Sequence, residues 1–256
     1  MTTQTKPGFF GEFGESITFE TAANCCPDAP EIAWWPESID FRKSKTLEER
    51  FFLNLYLKWV FGKMPFRFGT PLQITRADEQ FQPDFEVHEN GRRYGLDVTR
   101  ATTWRMERAT EALIKKGPGY SLHIDSDLNG EDRNFDPEAG VSKDGSPLYD
   151  EPLHGVDLEV EWARLMAYRI LEKQKTLTMN YSRFFPASDL VLYSAWPVPV
   201  LESAIKLLPG QYASLQSDSL PTMSFQRIAV VCENWAIFDP LSKGPQIFTS
   251  DGFDFL

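Results

Sequence analysis

Two aspartates on neighbouring predicted strands are the residues of this sequence best suited to chemistry. The stretch QPDFEVHENGRRYGLDVTRATTW, residues 82 to 104, carries Asp84 after a proline and Asp97 thirteen positions later. The turn-forming Glu89-Asn90-Gly91 lies between them, so the two strands should form a hairpin. Because Asp84 lies near the start of the first strand and Asp97 near the end of the second, the hairpin can bring both carboxylates to one sheet edge.

A pair of carboxylates at one sheet edge can hold a divalent cation. Such an ion polarises a phosphate, lowers the pKa of a bound water and neutralises charge developing on phosphorus. The chain has three histidines and three cysteines, and their spacing resembles neither a zinc site nor a disulfide framework. Carboxylate oxygens favour Mg2+, Mn2+ or Ca2+ over Zn2+, and with Mg2+ or Mn2+ the pair predicts metal-dependent phosphodiester hydrolysis. A helix carrying Glu48 and Glu49 could offer a third acid.

The predicted helices and strands around these residues indicate an α/β fold with a mixed sheet. Thr46 and Glu49 form a capping box before the apolar helical run LEERFFLNLYLKWVFGK, which ends near Gly62 and should be buried. Three strands of an antiparallel meander follow. The predicted order over the whole chain is α-β-β-β-α-α-β-α-β, with a β-α-β unit and parallel-type strands in the C-terminal half. The elements after the meander are TTWRMERATEALIKK, VDLEVEWARLMAYRILEKQKTL, DLVLYSA, PVPVLESAIKLL and RIAVVCEN.

The predicted organisation is one domain with an appended arm. Residues 1 to 45 are rich in glycine, proline and aromatic residues and show no period, so we expect an irregular N-terminal arm. Residues 46 to 256 should form the domain, with an acidic loop or insertion at 117 to 156. No apolar run approaches the roughly 20 residues that span a bilayer. The N-terminus also lacks a signal-peptide layout, so we expect a cytoplasmic protein without membrane contact.

Charge is distributed unevenly along the chain, whose net charge is −11. From Asp125 to Glu161 there are twelve acids and two bases, whereas from Asn90 to Lys116 there are seven bases and three acids. The basic stretch surrounds and follows Asp97, where a phosphate backbone would need it. The residues predicted to bind nucleic acid are Arg100, Arg105, Arg108 and Lys115. The acidic insertion is a candidate surface for a protein partner.

The motif PDF, a turn and then YGLDVTRATT resembles the PD-(D/E)xK nuclease superfamily. This resemblance covers residues 46 to 116 by motif and 157 to 240 by element order alone. It implies a restriction-endonuclease-like fold with an α-β-β-β-α-β core flanked by helices, and a nuclease acting on nucleic acid, with DNA as the expected substrate. It also implies Asp84 and Asp97 as metal ligands, the Val98 carbonyl as another, and Glu48 or Glu49 as an outer acid.

The sequence departs from the superfamily pattern at one position. Thr99 stands where the lysine two residues after the second acid is expected. Some proteins that resemble this form supply the lysine from a later helix, and the run ILEKQKTLTMNY offers Lys173 and Lys175. A lysine that reaches the scissile phosphate can orient the attacking water or stabilise the transition state whichever element carries it. Lys173 is the preferred candidate, because it lies three positions after Ile170 and four after Arg169 on the helix.

Two alternatives to an active nuclease remain open from the sequence. A catalytically inactive relative that binds nucleic acid or a protein would fit Thr99 and the negative net charge. An inhibitor or immunity protein would fit an acidic segment that imitates DNA phosphates. The run DSDLNGEDRNFD, from Asp125 to Asp136, also has the spacing of a calcium-binding loop, with Asp instead of Glu at its twelfth position.

Overall fold

The computed structural model describes residues 16–19, 45–64, 68–69, 71–77, 83–102, 108, 111–112, 115–117, 119–122, 141–143, 155–181, 185, 187–194, 202–216 and 225–250. The N-terminal strands and first helix are β1 (Ser16–Phe19), α1 (Lys45–Lys63), β2 (Leu72–Arg76), β3 (Phe85–Glu89) and β4 (Arg92–Ala101). Next come β5 (Tyr120–Leu122), β6 (Val141–Lys143) and α2 (Gly155–Thr176), which continues into a π-helical turn (Leu177–Tyr181). The last elements are β7 (Ser188–Ser194), α3 (Glu202–Leu215), β8 (Arg227–Val231), β9 (Trp235–Phe238) and β10 (Gln246–Thr249).

Eight of these strands form one mixed sheet in the order β1-β2-β3-β4-β7-β8-β9-β10. The β2–β3 and β3–β4 pairs are antiparallel, as the meander predicts. Strands β7 and β8 are parallel, which confirms the predicted β-α-β unit. The predicted α/β class with a mixed sheet is therefore present.

The turn between β3 and β4 is the hairpin turn that the sequence predicts. Asn90 has a φ of 46° and Gly91 a φ of 76°. Two consecutive residues in the left-handed region match the right-handed twist of the strands they join, and Asn-Gly tolerates that geometry best. The turn fixes the register, in which Phe85 lies opposite Leu96.

Helix α1 is buried on most of its circumference, as its apolar sequence predicts. Its tryptophan, Trp59, donates a hydrogen bond from Nε1 to the carbonyl oxygen of Cys232, 2.9 Å away, and so connects α1 with the end of β8. The core combines Phe52, Leu53, Tyr56, Leu57 and Val60 of α1 with Leu72, Ile74, Phe85, Val87, Leu96, Val191, Ala229 and Phe238 of the sheet.

The chain divides into two compact units. The first contains residues 1–100, 170–194 and 216–254, and the second contains residues 101–169, 195–215 and 255–256. The eight-stranded sheet and α1 belong to the first unit, apart from the last residue of β4. The second unit contains α3, the first fifteen residues of α2 and the two-stranded sheet formed by β5 and β6.

The structure contains five strands that the sequence did not predict. The arm predicted to be irregular contributes β1, which pairs with β2, and the predicted acidic loop contains the short β5–β6 pair. Strands β9 and β10 extend the sheet past the last predicted strand. The predicted helix at 102 to 116 is helical at residues 108, 111–112 and 115–116, and its remainder lies outside the described residues, as does the calcium-loop candidate. In the described part of the chain, no helix is both long enough and apolar enough to cross a membrane.

Candidate active site

The hairpin register places Asp84 and Asp97 opposite each other. Asp84 directly precedes β3, and Phe85 pairs with Leu96, so the next step of the ladder sets Asp84 against Asp97. Directly opposed residues of an antiparallel pair project from the same face of a sheet. The Val98 amide donates a hydrogen bond to Asp84 Oδ2 at 2.8 Å, which holds this carboxylate against β4. Both aspartates lie in the first unit.

Gly95 allows the segment before β3 to approach β4 closely. A Cβ atom at this position would lie 2.7 Å from Pro83 Cγ and 2.8 Å from Ser188 Oγ. Such separations are shorter than van der Waals contact, so any larger residue would displace Pro83 or Ser188. Since Pro83 directly precedes Asp84, the glycine helps to set the position of the first carboxylate. The Gly95 amide also donates to the Ala187 carbonyl at 3.1 Å, which links β4 to the residue before β7.

The Asp97 carboxylate is completely buried. Its exposed fraction is 0%, and neither Oδ1 nor Oδ2 has a hydrogen-bond partner among the described residues. Lys173 Nζ lies 3.5 Å from Asp97 Oδ1, at ion-pair distance but beyond a good hydrogen bond. Buried carboxylate oxygens normally find a donor or a cation. Asp97 therefore has the coordination capacity that a metal ligand requires.

Burial and neighbouring charges perturb the protonation of this pair. Burial raises the pKa of Asp97 to about 7, with Lys173 opposing the shift and Asp84 adding to it. Burial by itself would lower the pKa of Lys173, but the charges of Asp97 and Asp84 outweigh burial and raise that pKa above its usual value. Lys173 therefore keeps its proton at neutral pH. The structure brings Lys173 to the aspartates, whereas Lys175 is exposed on the surface of α2.

The two candidate acids of α1 have different surroundings. Glu49 is buried, with 6% of its surface exposed, and its pKa is raised to about 7 by burial and then by the charge of Asp84. Glu48 forms an ion pair with Arg100 of β4. Strand alternation explains the pairing, because Arg100 shares a face with Leu96 and Val98, whose side chains join the core cluster that contains α1. Glu49 is therefore the α1 acid whose pKa is affected by Asp84, whereas Glu48 neutralises Arg100.

The residues predicted to contact nucleic acid belong to both compact units, Arg100 to the first and Arg108 and Lys115 to the second. Arg100 is paired with Glu48, and Arg108 forms an ion pair with Glu111 at 3.2 Å. Lys115 is exposed in a helical segment of the second unit. Arg105 lies outside the described residues.

Two further cations at the site were missed by the sequence analysis. Lys45 Nζ lies 3.3 Å from Glu49 Oε1, and Arg76 Nη2 lies 3.4 Å from Glu49 Oε2. The pattern of β2 contains a signal for Arg76. Leu72 and Ile74 are buried, and strand alternation places the charged Arg76 on the same face as these two residues. Nothing local distinguishes Lys45 from an ordinary lysine in the first turn of a helix.

A divalent cation fits the donor set at the aspartates, although that set is small. Among the described residues, no group of three or more His, Cys, Asp or Glu side chains is arranged to hold a metal ion. Two carboxylates and backbone or water oxygens are nevertheless the usual protein ligands of Mg2+. The observation that fits such an ion is that neither oxygen of Asp97 receives a hydrogen bond from the described residues. Val98 contacts this site through its backbone amide, which donates a hydrogen bond to Asp84 Oδ2.

No known protein family, curated protein or solved structure matches this chain. Its function must therefore be argued from the residues of the site, namely Asp84, Asp97, Lys173 and Glu49.

Proposed function

We propose that this protein is a metal-dependent phosphodiesterase of the PD-(D/E)xK type that cleaves nucleic acid, with DNA as its substrate. The observation that carries the proposal is the surroundings of Asp97. This buried carboxylate lies opposite Asp84 across the β3–β4 hairpin, its two oxygens receive no hydrogen bond from the described residues, and Lys173 lies 3.5 Å away. The sheet order and the position of α1 are consistent with a restriction-endonuclease-like fold, which is part of the proposal.

Asp84 and Asp97 would hold Mg2+ or Mn2+, with the Val98 carbonyl as a further ligand. When bound, the ion would supply a water of lowered pKa and would neutralise charge on the phosphate. The Val98 amide keeps Asp84 in place through its 2.8 Å hydrogen bond. Gly95 admits Pro83 next to β4, so the backbone contributes to the spacing of the two carboxylates.

Lys173 takes the role of the motif lysine, whose position in this sequence is occupied by Thr99. Its raised pKa keeps the ammonium group charged at neutral pH, so we assign it electrostatic stabilisation of the phosphate and orientation of the attacking water. A general base must be able to accept a proton, which a permanently protonated lysine cannot do. Glu49, whose pKa is raised to about 7, can take up a proton at neutral pH and is our candidate for that role.

The choice of nucleic acid as substrate rests on charge chemistry. Hydrolysis of a phosphodiester requires neutralisation of the phosphate charge and an activated water as nucleophile. The site combines three carboxylates with the cations Lys173, Lys45 and Arg76. The basic stretch from Asn90 to Lys116 continues from β4 along the chain. We assign Lys115 and Arg108 to contacts with more distant phosphates, and the acidic segment after Asp125 to a protein partner.

Cleavage assays with matched variants test the proposal. The wild-type protein should cleave plasmid or single-stranded DNA with Mg2+ or Mn2+ and should stop when EDTA is added. Asp84→Asn and Asp97→Asn should abolish cleavage, because each removes a ligand charge at nearly constant volume. Lys173→Ala should lower the rate by about a hundredfold or more, the usual cost of losing one preorganised electrostatic contact.

The control variants are chosen from the same structure. Lys175→Ala changes an exposed lysine two residues from Lys173, and Glu202→Gln changes an exposed acid that pairs with Lys206. Both should cleave at the wild-type rate. Wild-type activity in Asp97→Asn would refute the site. Salt-sensitive DNA binding without metal-dependent cleavage would instead indicate an inactive binding protein, and tight binding to a basic enzyme would indicate an inhibitor.

A further inference from the structure

The Glu49 carboxylate bridges two cations at the edge of the candidate active site. One oxygen, Oε1, lies 3.3 Å from Lys45 Nζ, and the other, Oε2, lies 3.4 Å from Arg76 Nη2. Lys45 and Arg76 are therefore spaced to share one small oxyanion. Both side chains are more exposed than the acid between them, at 84% for Lys45 and 23% for Arg76 against 8% for Glu49. An anion arriving from solvent can reach the cations.

Arg76 lies beside the aspartates in the sheet. It is the last residue of β2 and pairs with Phe85, the residue that follows Asp84. The next residue, Ala77, donates its amide to the Asp84 carbonyl at 3.1 Å. The end of β2 is thus hydrogen-bonded to the backbone of Asp84. Arg76 therefore lies at the same edge of the sheet as the site.

The contacts of Glu49 with these cations are long for ion pairs. Charge-assisted N–H···O bonds usually measure about 2.7 to 2.9 Å. The chain provides a comparison at Arg93, which binds Glu86 with Nε at 2.5 Å and Nη2 at 2.7 Å in a two-pronged contact. Arg76, in contrast, contacts one partner among the described residues, Glu49, and does so through Nη2 alone. An arginine offers five N–H donors, so Arg76 retains donors for a second ligand.

Building on the proposed function, we propose that Lys45 and Arg76 form a binding site for a backbone phosphate of the nucleic-acid substrate, adjoining the phosphate that is cleaved. Glu49 holds the two cations in position while substrate is absent. A phosphodiester presents two anionic oxygens, as a carboxylate does, and arginine recognises such a pair through its planar fork. Arg76 and Lys45 are substrate-positioning residues under this assignment, and they do not touch the reacting atoms.

The test measures DNA binding without cleavage. All proteins carry Asp97→Asn, and their dissociation constants for a short fluorescein-labelled DNA duplex in Mg2+ are measured over a series of KCl concentrations. Adding Arg76→Ala should weaken binding by about tenfold, the cost of one charged hydrogen bond. The slope of log K against log [KCl] should fall by about 0.9, the loss of one phosphate contact.

Lys45→Ala should lower the slope to a similar extent. The double variant should lower the slope by no more than Arg76→Ala alone, because both cations are assigned to the same phosphate. Arg76→Lys, which keeps the charge but loses the fork, should retain most of the slope and lose part of the affinity. Lys206→Ala is the matched control, because Lys206 forms an ion pair with Glu202 at 2.9 Å with the same i,i+4 spacing and lies outside the basic stretch, so DNA binding should not change.

The outcomes separate this inference from the proposed function. If the wild-type protein neither cleaves nor binds DNA, the proposed function fails. If it cleaves DNA while Arg76→Ala and Lys45→Ala leave the affinity and salt slope unchanged, the phosphate site is wrong and the nuclease assignment stands. Lys45 is exposed, so Lys45→Ala keeps the test decisive even if Arg76→Ala fails to fold.

Discussion

At the scale of single residues, burial controls the chemistry of Asp97. The side chain is 0% exposed and its pKa is raised to about 7 from a usual value of 3.8. The nearby ammonium of Lys173 does not fully offset the loss of solvation. Without a metal ion, the folded protein therefore holds a proton on Asp97 under conditions where the unfolded chain releases it.

The raised pKa of Asp97 predicts a pH-dependent stability in metal-free buffer. Between about pH 4 and pH 7 the folded state binds more protons than the unfolded state, so the free energy of unfolding falls as pH rises through this window. Asp97→Asn lacks this contribution. The stability of the variant relative to the wild type should increase by about 2 to 4 kcal/mol between pH 5 and pH 8, as urea unfolding in EDTA would measure. An unchanged difference between the two pH values would contradict a raised pKa.

At the scale of elements, the β3–β4 hairpin is the part that assembles the site. Its Asn90-Gly91 turn sets the register, and the register sets Asp84 against Asp97. Gly95 then lets Pro83 and Ser188 approach β4 from either side. The spacing of the two carboxylates therefore depends on the close approach of the backbone at Gly95.

Replacing Gly95 by alanine should disturb both stability and metal binding. The added Cβ would lie 2.7 Å from Pro83 Cγ, so Pro83 must move and displace Asp84. Overpacking of this kind costs about 1 to 3 kcal/mol. We expect that loss in urea unfolding, together with weaker Mn2+ binding in calorimetric titration.

Gly62→Ala is the matched control for this substitution. Gly62 lies near the end of α1, and a Cβ added there would meet no atom within 4 Å apart from its chain neighbours and the backbone of its own helix. Alanine there should leave Mn2+ binding unchanged and raise stability by up to about 1 kcal/mol, because alanine favours helix. Equal Mn2+ affinity in both glycine variants would mean that Gly95 does not position Asp84.

At the scale of the whole molecule, the large sheet joins segments that are far apart in the chain, and Arg227 of β8 ties them together. Its Nη2 lies 3.1 Å from Glu89 Oε2 in β3, and its Nε lies 2.7 Å from Asp189 Oδ2 in β7. The guanidinium group also lies 4.9 Å from the ring centroids of both Phe68 and Tyr94. One side chain thus connects the N-terminal meander to the parallel pair.

Removing the Arg227 charge should destabilise the protein strongly. Arg227→Met keeps much of the volume but leaves the buried carboxylate of Asp189 and the half-buried one of Glu89 without their cation. Loss of one partner from a buried ion pair costs about 3 to 5 kcal/mol. Lys206→Met, at an exposed lysine paired with Glu202, should change stability by less than about 0.5 kcal/mol. Comparable urea midpoints for the two variants would show that the Arg227 network is not stabilising.

Local patterns in the sequence were sufficient for the hairpin, the buried helix α1 and the parallel β7–β8 pair. Turn chemistry, apolar periodicity and strand composition act over a few residues, so they can be read without a partner element. Strands β1, β9 and β10 were missed because each is four residues long and obtains its hydrogen bonds from a neighbouring strand. Such short segments are defined by pairing rather than by their own propensities.

For the site, the local sequence was sufficient to predict that Asp84 and Asp97 meet, because hairpin register is a local property. The sequence left Glu48 and Glu49 open and favoured Lys173 over Lys175, and the packing of the helices places Glu49 and Lys173 at the site. Neighbouring or nearly neighbouring residues on a helix differ by their angle around its axis, and packing determines which of them faces the sheet. The pairing of Glu49 with Arg76 likewise joins α1 to β2 across 27 residues of sequence, a distance over which no local pattern carries information.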